Sequence, residues 1–205
     1  MKKQEIRKIA FASMIIAIIL ILTFTLTAYL PFFGGAVFIS IVHIPVIIGA
    51  IILGPRYGAI LGLFFGLSSL YIASITLGGN APFTNPVLSV LPRIAFGFAT
   101  PLMYSYFTKK IRSKVFATVV STTIMWLLHA VVVISTLYFV AVNGWYFTAS
   151  ENPWTSSDHF LTLFISVFSV NTLFETAVTL LITTPIILRL NYMIEDEKNV
   201  DKTFD

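Results

Sequence analysis

The sequence has few charged residues and no cysteine. Only 11% of its 205 residues are Asp, Glu, Lys or Arg, and its mean hydropathy is +0.91. Since a soluble domain carries about 25% charged residues, this composition excludes a water-soluble globular protein and predicts an integral membrane protein. The lack of cysteine excludes disulfides, thiol chemistry and Cys-based metal sites. The three histidines do not have metal-ligand spacing, so we expect no metal and no other cofactor.

The chain also lacks the sequence motifs of enzymes. It contains no Walker A loop, no nucleophile elbow and no clustered pair of aspartates. We therefore expect no catalytic residues and no ATP hydrolysis by this chain. The alternative is a membrane enzyme that uses His129, Asn171 and Glu175 for proton transfer, which turnover of a lipid or peptide would reveal.

Long apolar runs predict an all-α bundle of six transmembrane helices, built as one domain over residues 1–205. The predicted spans cover about 9–30, 44–53, 59–76, 85–107, 115–142 and 159–190, between a basic head at about 1–8 and a polar tail at about 191–205. The second run is too short to cross about 30 Å of hydrocarbon at about 1.5 Å per residue. We expect it to recruit residues 37–42 or to be tilted or broken.

The placement of the basic residues predicts the orientation of the bundle. Of the 13 Lys and Arg residues, all but Arg93 lie in the head, at Arg56, in the loop 109–114, or from Arg189 onwards. The alternate connections at about 31–43, 77–84 and 143–158 contain none. The positive-inside rule therefore predicts a multi-pass protein of the cell membrane with both termini in the cytoplasm. Because these basic residues lie at the ends of spans, beside the lipid bilayer, the net charge of +4 does not indicate nucleic-acid binding.

Arg93 is the one basic residue that orientation does not explain. A charge at membrane depth is costly, so it usually marks a ligand or a partner charge. On a helix, one face of small and polar residues carries Asn85, Ser89, Arg93, Gly97, Thr100 and Tyr104. A guanidinium takes a carboxylate through two hydrogen bonds. This face therefore predicts a solute site in which Asn85, Ser89 and Arg93 bind an anion.

Five further polar residues are candidate ligands: His129, Asn171 and Glu175 within spans, and His43 and Asn80 on outer loops that close over the solute. Each has a structural alternative. His129 can be a packed residue bonded to a neighbouring backbone, and Asn171 can join two helices in lipid. His43 and Asn80 can instead anchor the chain at the membrane interface. Glu175 can also pair with Arg93 in the empty site. An anionic solute would then compete for the guanidinium.

Two stretches resemble a known family. The run from His43 to Leu63, HIPVIIGAIILGPRYGAILGL, and the later Leu91-Pro-Arg-Ile94 are similar to S components, the substrate-binding subunits of energy-coupling factor (ECF) vitamin transporters, and most similar to the pantothenate type. The resemblance implies a transport subunit that captures a water-soluble vitamin, pantothenate first of all, outside the cell. It implies as partners a transmembrane scaffold subunit and two ATPase subunits that drive delivery across the membrane.

In this family, small residues four apart on the first span contact the scaffold. Ser13 and Ala17 are the nearest match here, while Ala10 is out of register with them. The identity of the solute stays open between pantothenate and another vitamin, pyridoxine or riboflavin. A membrane scaffold without a solute site is the remaining alternative, and it would leave Arg93 without a role.

Overall fold

The computed structural model describes residues 3–25, 29–32, 37–76, 83–143 and 172–203. Within these ranges the helices are α1 (Lys3–Phe24), α2 (His43–Leu53), α3 (Pro55–Thr76), the single-turn α4 (Pro86–Ser89), α5 (Leu91–Lys110), α6 (Lys114–Val142) and α7 (Thr172–Thr203). Strands β1 (Tyr29–Phe32) and β2 (Val37–Ser40) pair antiparallel between α1 and α2. The predicted all-α fold is confirmed, with this ribbon as an addition.

Five stretches of the described chain are long and apolar enough to cross a membrane. They lie in α1, α3, α4 with α5, α6 and α7, and correspond to all the predicted spans except the second. Large apolar side chains on their outer faces are exposed, such as Phe24 at 63% and Leu181 at 79%. A surface of this kind is stable in hydrocarbon and not in water, so the chain is a multi-pass membrane protein.

Helix α2 lies at the centre of the bundle. Every residue from His43 to Ala50 is buried, and α2 packs on α1, α3, α5 and α7. Its apolar residues occupy all sides, which is the pattern of an enclosed helix. Of the alternatives for this short run, recruitment of residues 37–42 is wrong, because Val37–Ser40 forms β2. Gly54 alone, at φ 91°, separates α2 from α3, so α3 begins at Pro55 and not near 59.

Helices α3 and α5 approach so closely that glycine is required between them. A Cβ built on Gly58 would overlap the Gly97 carbonyl, and one on Gly62 would overlap the Arg93 carbonyl. A Cβ on Gly66 would lie 2.7 Å from the Cα of Val90. The three α3 glycines recur every fourth residue and therefore share one face, as in the small-xxx-small interfaces of membrane helices. This face fixes the position of the segment that carries Arg93.

The structure differs from the predictions for the fourth span, for the basic loop that follows it and for the C-terminal polar tail. The span is broken at Val90, between α4 and α5, and it continues to Lys110, so the basic loop shortens to residues 111–113. The predicted polar tail from 191 is helical to Thr203. The predicted beginning of the sixth span, 159–171, lies outside the described residues.

Candidate functional site

Side chains from four helices meet in one buried cluster, which we call the central cluster. Its members are His43 of α2, Phe65 of α3, Arg93 and Phe96 of α5, and Trp126 and His129 of α6. None of these side chains is more than 8% exposed. The expectation that His43 lies on an outer loop is wrong, because it is the first residue of the enclosed α2.

The rings of the central cluster are in direct contact. The imidazole of His43 stacks on Trp126 with ring centroids 4.0 Å apart and an interplanar angle of 24°. His129 lies 4.6 Å from Phe96 and 5.7 Å from Trp126, again between centroids. Stacked and tilted rings of this kind add favourable energy beyond simple burial. The cluster is therefore a packed aromatic surface that also contains imidazole and indole nitrogens.

Arg93 reaches this aromatic surface from the break between α4 and α5. Its guanidinium carbon is 5.1 Å from the centroid of Phe65 and 5.8 Å from that of Phe83. Its Nη1 donates to the carbonyl of Ser89 at 2.7 Å and to that of Leu88 at 3.2 Å. Phenylalanine faces attract cations, so the positive charge is stabilised at this depth by rings as well as by carbonyls.

Asn85 and Ser89 have local partners in the turn that precedes α5. The Asn85 Oδ1 accepts the N–H of Val87 at 2.8 Å, which caps α4 at its N-terminus with Pro86 in the first turn. The Ser89 hydroxyl donates to the Phe83 carbonyl. Both side chains are buried, at 7% and 0% exposure. They shape the segment that holds Arg93, and their contact with a solute stays a prediction.

A hydrogen-bonded chain links the central cluster to α7. The Nε2 of His43 and the Oγ1 of Thr179 are 2.5 Å apart, and the Thr179 hydroxyl donates to the Glu175 carbonyl at 2.6 Å. Because that hydroxyl has one proton and gives it to the carbonyl, the imidazole must donate through Nε2–H. Glu175 is itself buried at 7% exposure. Its pairing with Arg93 stays a prediction.

The predicted polar face of the fourth span does point into the bundle. Gly97 and Thr100 are buried, and Tyr104 is half-buried at the other end of the face. The Tyr104 hydroxyl accepts a hydrogen bond from Nδ2 of Asn191 on α7 at 3.0 Å. The helical periodicity therefore assigned the inward face correctly despite the break at Val90.

Four predicted residues remain, two of them outside the described residues and two on the exposed side of α1. Asn80 and Asn171 lie outside the described residues. Ser13 and Ala17 are exposed on α1, as a contact surface for a partner requires, although exposure alone does not assign the partner.

Phe65, Phe96 and Trp126 are members of the central cluster that the sequence did not predict. Trp126 had a signal, since it lies three residues before His129 and therefore on the same helical face. The two phenylalanines had none, because 19 phenylalanines are spread over the chain and only the packing of α3 and α5 selects these two.

The arrangement is suited to binding a small anionic, partly polar solute. It offers a guanidinium, two imidazoles and an indole among aromatic carbons, in keeping with the general design of small-molecule sites. In the described part of the chain, His, Asp and Glu side chains do not gather in threes as a metal ion would require.

Comparison with known proteins gives concordant matches. The family model described as "ECF transporter, substrate-specific component" matches residues 7–187. A pantothenic acid transporter PanT of Lactococcus lactis subsp. cremoris is 25% identical over 202 residues, which cover 91% of this chain and 95% of that protein. A pantothenate transporter PanT of Leuconostoc mesenteroides subsp. mesenteroides is 33% identical over 126 residues, covering 57% and 58% of the two chains.

Proposed function

Since this chain belongs to the family of ECF transporter substrate-specific components, we propose that it captures pantothenate outside the cell and delivers it across the membrane. The observation that carries the proposal is the buried guanidinium of Arg93, 8% exposed against an aromatic surface, in a chain similar to two transporters named for pantothenate. Pantothenate has a carboxylate at one end, which a guanidinium recognises. The protein is a transport subunit and not an enzyme.

The proposed transport step requires partner subunits that hydrolyse ATP. We propose that it works with a transmembrane ECF scaffold subunit and two ATPase subunits, and that ATP hydrolysis by those subunits drives uptake. The small side chains of Ser13 and Ala17 are exposed one turn apart on α1 and would allow close approach of a scaffold helix. We further propose that both termini lie in the cytoplasm, as the basic residues predict.

The carboxylate contact is tested by pairing a change in the protein with a change in the ligand. Affinity for pantothenate and for its primary-alcohol analogue is measured by calorimetry on the purified wild-type chain and on Arg93→Lys. Lysine keeps the charge but loses the planar fork, so pantothenate should bind about tenfold to hundredfold more weakly. The alcohol analogue should bind weakly to both proteins.

A matched control is Arg56→Lys, at an exposed arginine in the first turn of α3. This variant should bind pantothenate like the wild type. If Arg93→Lys weakens both ligands by the same factor, Arg93 supports the fold and does not read the carboxylate. If the wild-type chain binds no pantothenate, the proposed solute is wrong.

The stacked His43 and Trp126 rings favour one second candidate, a ring-bearing vitamin such as pyridoxine or riboflavin. A flat solute gains by stacking on such a surface, whereas pantothenate has no ring to stack. A thermal-shift panel of water-soluble vitamins on the purified chain separates the candidates. Stabilisation by pyridoxine or riboflavin without stabilisation by pantothenate would favour this second candidate.

A further inference from the structure

Three polar atoms on one side of α6 are buried without a hydrogen-bond partner. They are Oγ1 of Thr122, Nε1 of Trp126 and Nδ1 of His129, and their side chains are 2%, 7% and 7% exposed. Leaving a buried donor or acceptor unsatisfied is costly, so native proteins rarely do so without a reason. Three such atoms on one helix face therefore require an explanation.

The imidazole of His129 has a backbone hydrogen bond with Pro92, which leaves its Nδ1 without a partner. Local contacts do not satisfy the other two groups either. A threonine inside a helix can donate to the carbonyl four residues earlier, and Thr118 and Thr136 of the same helix both do so. The Thr122 hydroxyl has no such bond in the structure. The Trp126 ring is held by its stack on His43, and that contact leaves the indole N–H unused.

Thr122, Trp126 and His129 also have the spacing of one continuous helix face, which we call the wall. Positions 122, 126 and 129 follow the i, i+4, i+7 pattern, so they share one face of α6. Seven residues of helix extend over about 10 Å. His129 lies at the end of this wall nearest Arg93, because both contact the Phe65 ring, His129 at 6.3 Å and the Arg93 guanidinium at 5.1 Å.

We propose that Thr122, Trp126 and His129 bind the hydroxyl and amide groups of an elongated solute whose carboxylate lies at Arg93. This inference rests on the proposed function and adds to it the residues that select the neutral part of the solute. An indole N–H can only donate, whereas a hydroxyl donates and accepts, so the wall suits a solute that offers both kinds of group. The solute class is an acid with hydroxyls or an amide spread over about 10 Å.

Conservative variants test the wall, with pantothenate as the probe and the full chain in detergent or nanodiscs. Thr122→Val and Trp126→Phe remove the polar atom and keep the shape, and phenylalanine still stacks on His43. Each should weaken pantothenate binding about fivefold to tenfold. The melting temperature of the ligand-free protein should stay the same or rise, because an unsatisfied buried group is removed.

Thr118→Val is the matched control. Thr118 is fully buried on the same helix, but its hydroxyl already donates to the Lys114 carbonyl at 2.8 Å. This variant should leave the affinity unchanged. A second readout is the indole N–H resonance of Trp126, assigned by its loss in Trp126→Phe, which should shift when pantothenate saturates the wild-type protein.

The failures of the two proposals are distinguishable. If the wild-type chain binds no pantothenate, the proposed function fails, and the variants are measured with the vitamin that does bind. If the wild type binds but both variants bind equally well and the indole resonance does not move, the wall is not a ligand site. A fall in the ligand-free melting temperature with unchanged affinity would also overturn it, because the groups would then be structural.

Discussion

Arg93 and Pro92 are linked through one backbone carbonyl. Proline at 92 has no N–H, so the Leu88 carbonyl loses the donor that would normally lie four residues later. The Arg93 Nη1 donates to that carbonyl at 3.2 Å and to the Ser89 carbonyl at 2.7 Å. The arginine therefore stabilises the break between α4 and α5 as well as carrying the charge that a carboxylate would meet.

A double substitution separates these two roles. Arg93→Met should lower the melting temperature and abolish pantothenate binding, because it removes both the carbonyl donor and the charge. Adding Pro92→Ala supplies an N–H for the Leu88 carbonyl, so part of the lost stability should return while binding does not. Thermal unfolding and calorimetry on the four proteins give the coupling between the two positions. A return of binding in the double variant would contradict a role for the guanidinium in recognition.

Candidate binding residues could be identified from the sequence only where a side chain had no ordinary reason to be in a membrane. Arg93 met that condition, and its inward face followed from helical periodicity. Asn85 and Ser89 shared that face, but their bonds to Val87 and Phe83 depend on a turn that the periodicity does not reveal. The depth of His43 was missed because an apolar run has the same hydropathy whether lipid or protein surrounds it.

At the scale of elements, the α3 glycines control where Arg93 lies. The Cβ of any other residue at 62 would meet the Arg93 carbonyl, which is backbone and cannot rotate away. Gly49 of α2 is a useful contrast. A Cβ there would meet the Cδ1 atom of Leu61 at 2.5 Å, the far end of a flexible side chain.

We therefore expect Gly62→Ala to be damaging and Gly49→Ala to be tolerated. Overpacking against backbone costs about 1–3 kcal/mol, and each kcal/mol lowers the melting temperature by roughly 2–4 °C in a chain of this size. Gly62→Ala should also weaken pantothenate binding, because Arg93 moves with the displaced segment. Equal melting temperatures for the two variants would show that α3 and α5 are free to separate.

The long helices could be predicted because hydropathy over about 20 residues is a strong signal, and the structure places five of them where expected. Shorter elements could not. The ribbon of Tyr29–Phe32 and Val37–Ser40 is too short to differ from an apolar linker in sequence. The break at Val90 lies two residues before Pro92, and the sequence does not distinguish it from a bent continuous helix, because a proline fits both.

At the scale of the whole molecule, the orientation of the chain in the membrane determines the direction of the proposed uptake. The exposed basic residues at the α5–α6 connection, Lys109, Lys110, Arg112 and Lys114, predict that this end faces the cytoplasm. The end of α6 near Asn143 would then face outward. Under the proposed function, a nutrient enters from the outward end and leaves at the cytoplasmic end, where the proposed ATPase subunits would act.

The lack of native cysteine makes this orientation directly measurable. Ser113 and Asn143 are both exposed, at opposite ends of α6, and each can be replaced singly by cysteine. A membrane-impermeant maleimide applied to intact cells should label Asn143→Cys at once and Ser113→Cys only after permeabilisation. The reverse pattern would place both termini outside and exclude the proposed direction of uptake.

The enclosure of α2 has a consequence for how the protein is made. Its 11 residues are too few to be inserted as an independent span, and α3, α5, α6 and α7, which all contact it, are synthesised after it. We therefore expect the long helices to enter the bilayer first and α2 to reach its final position when they assemble around it. His43 stacks on Trp126 only after that last step. Vitamin binding thus reports completed assembly, whereas detection in the membrane fraction reports insertion alone.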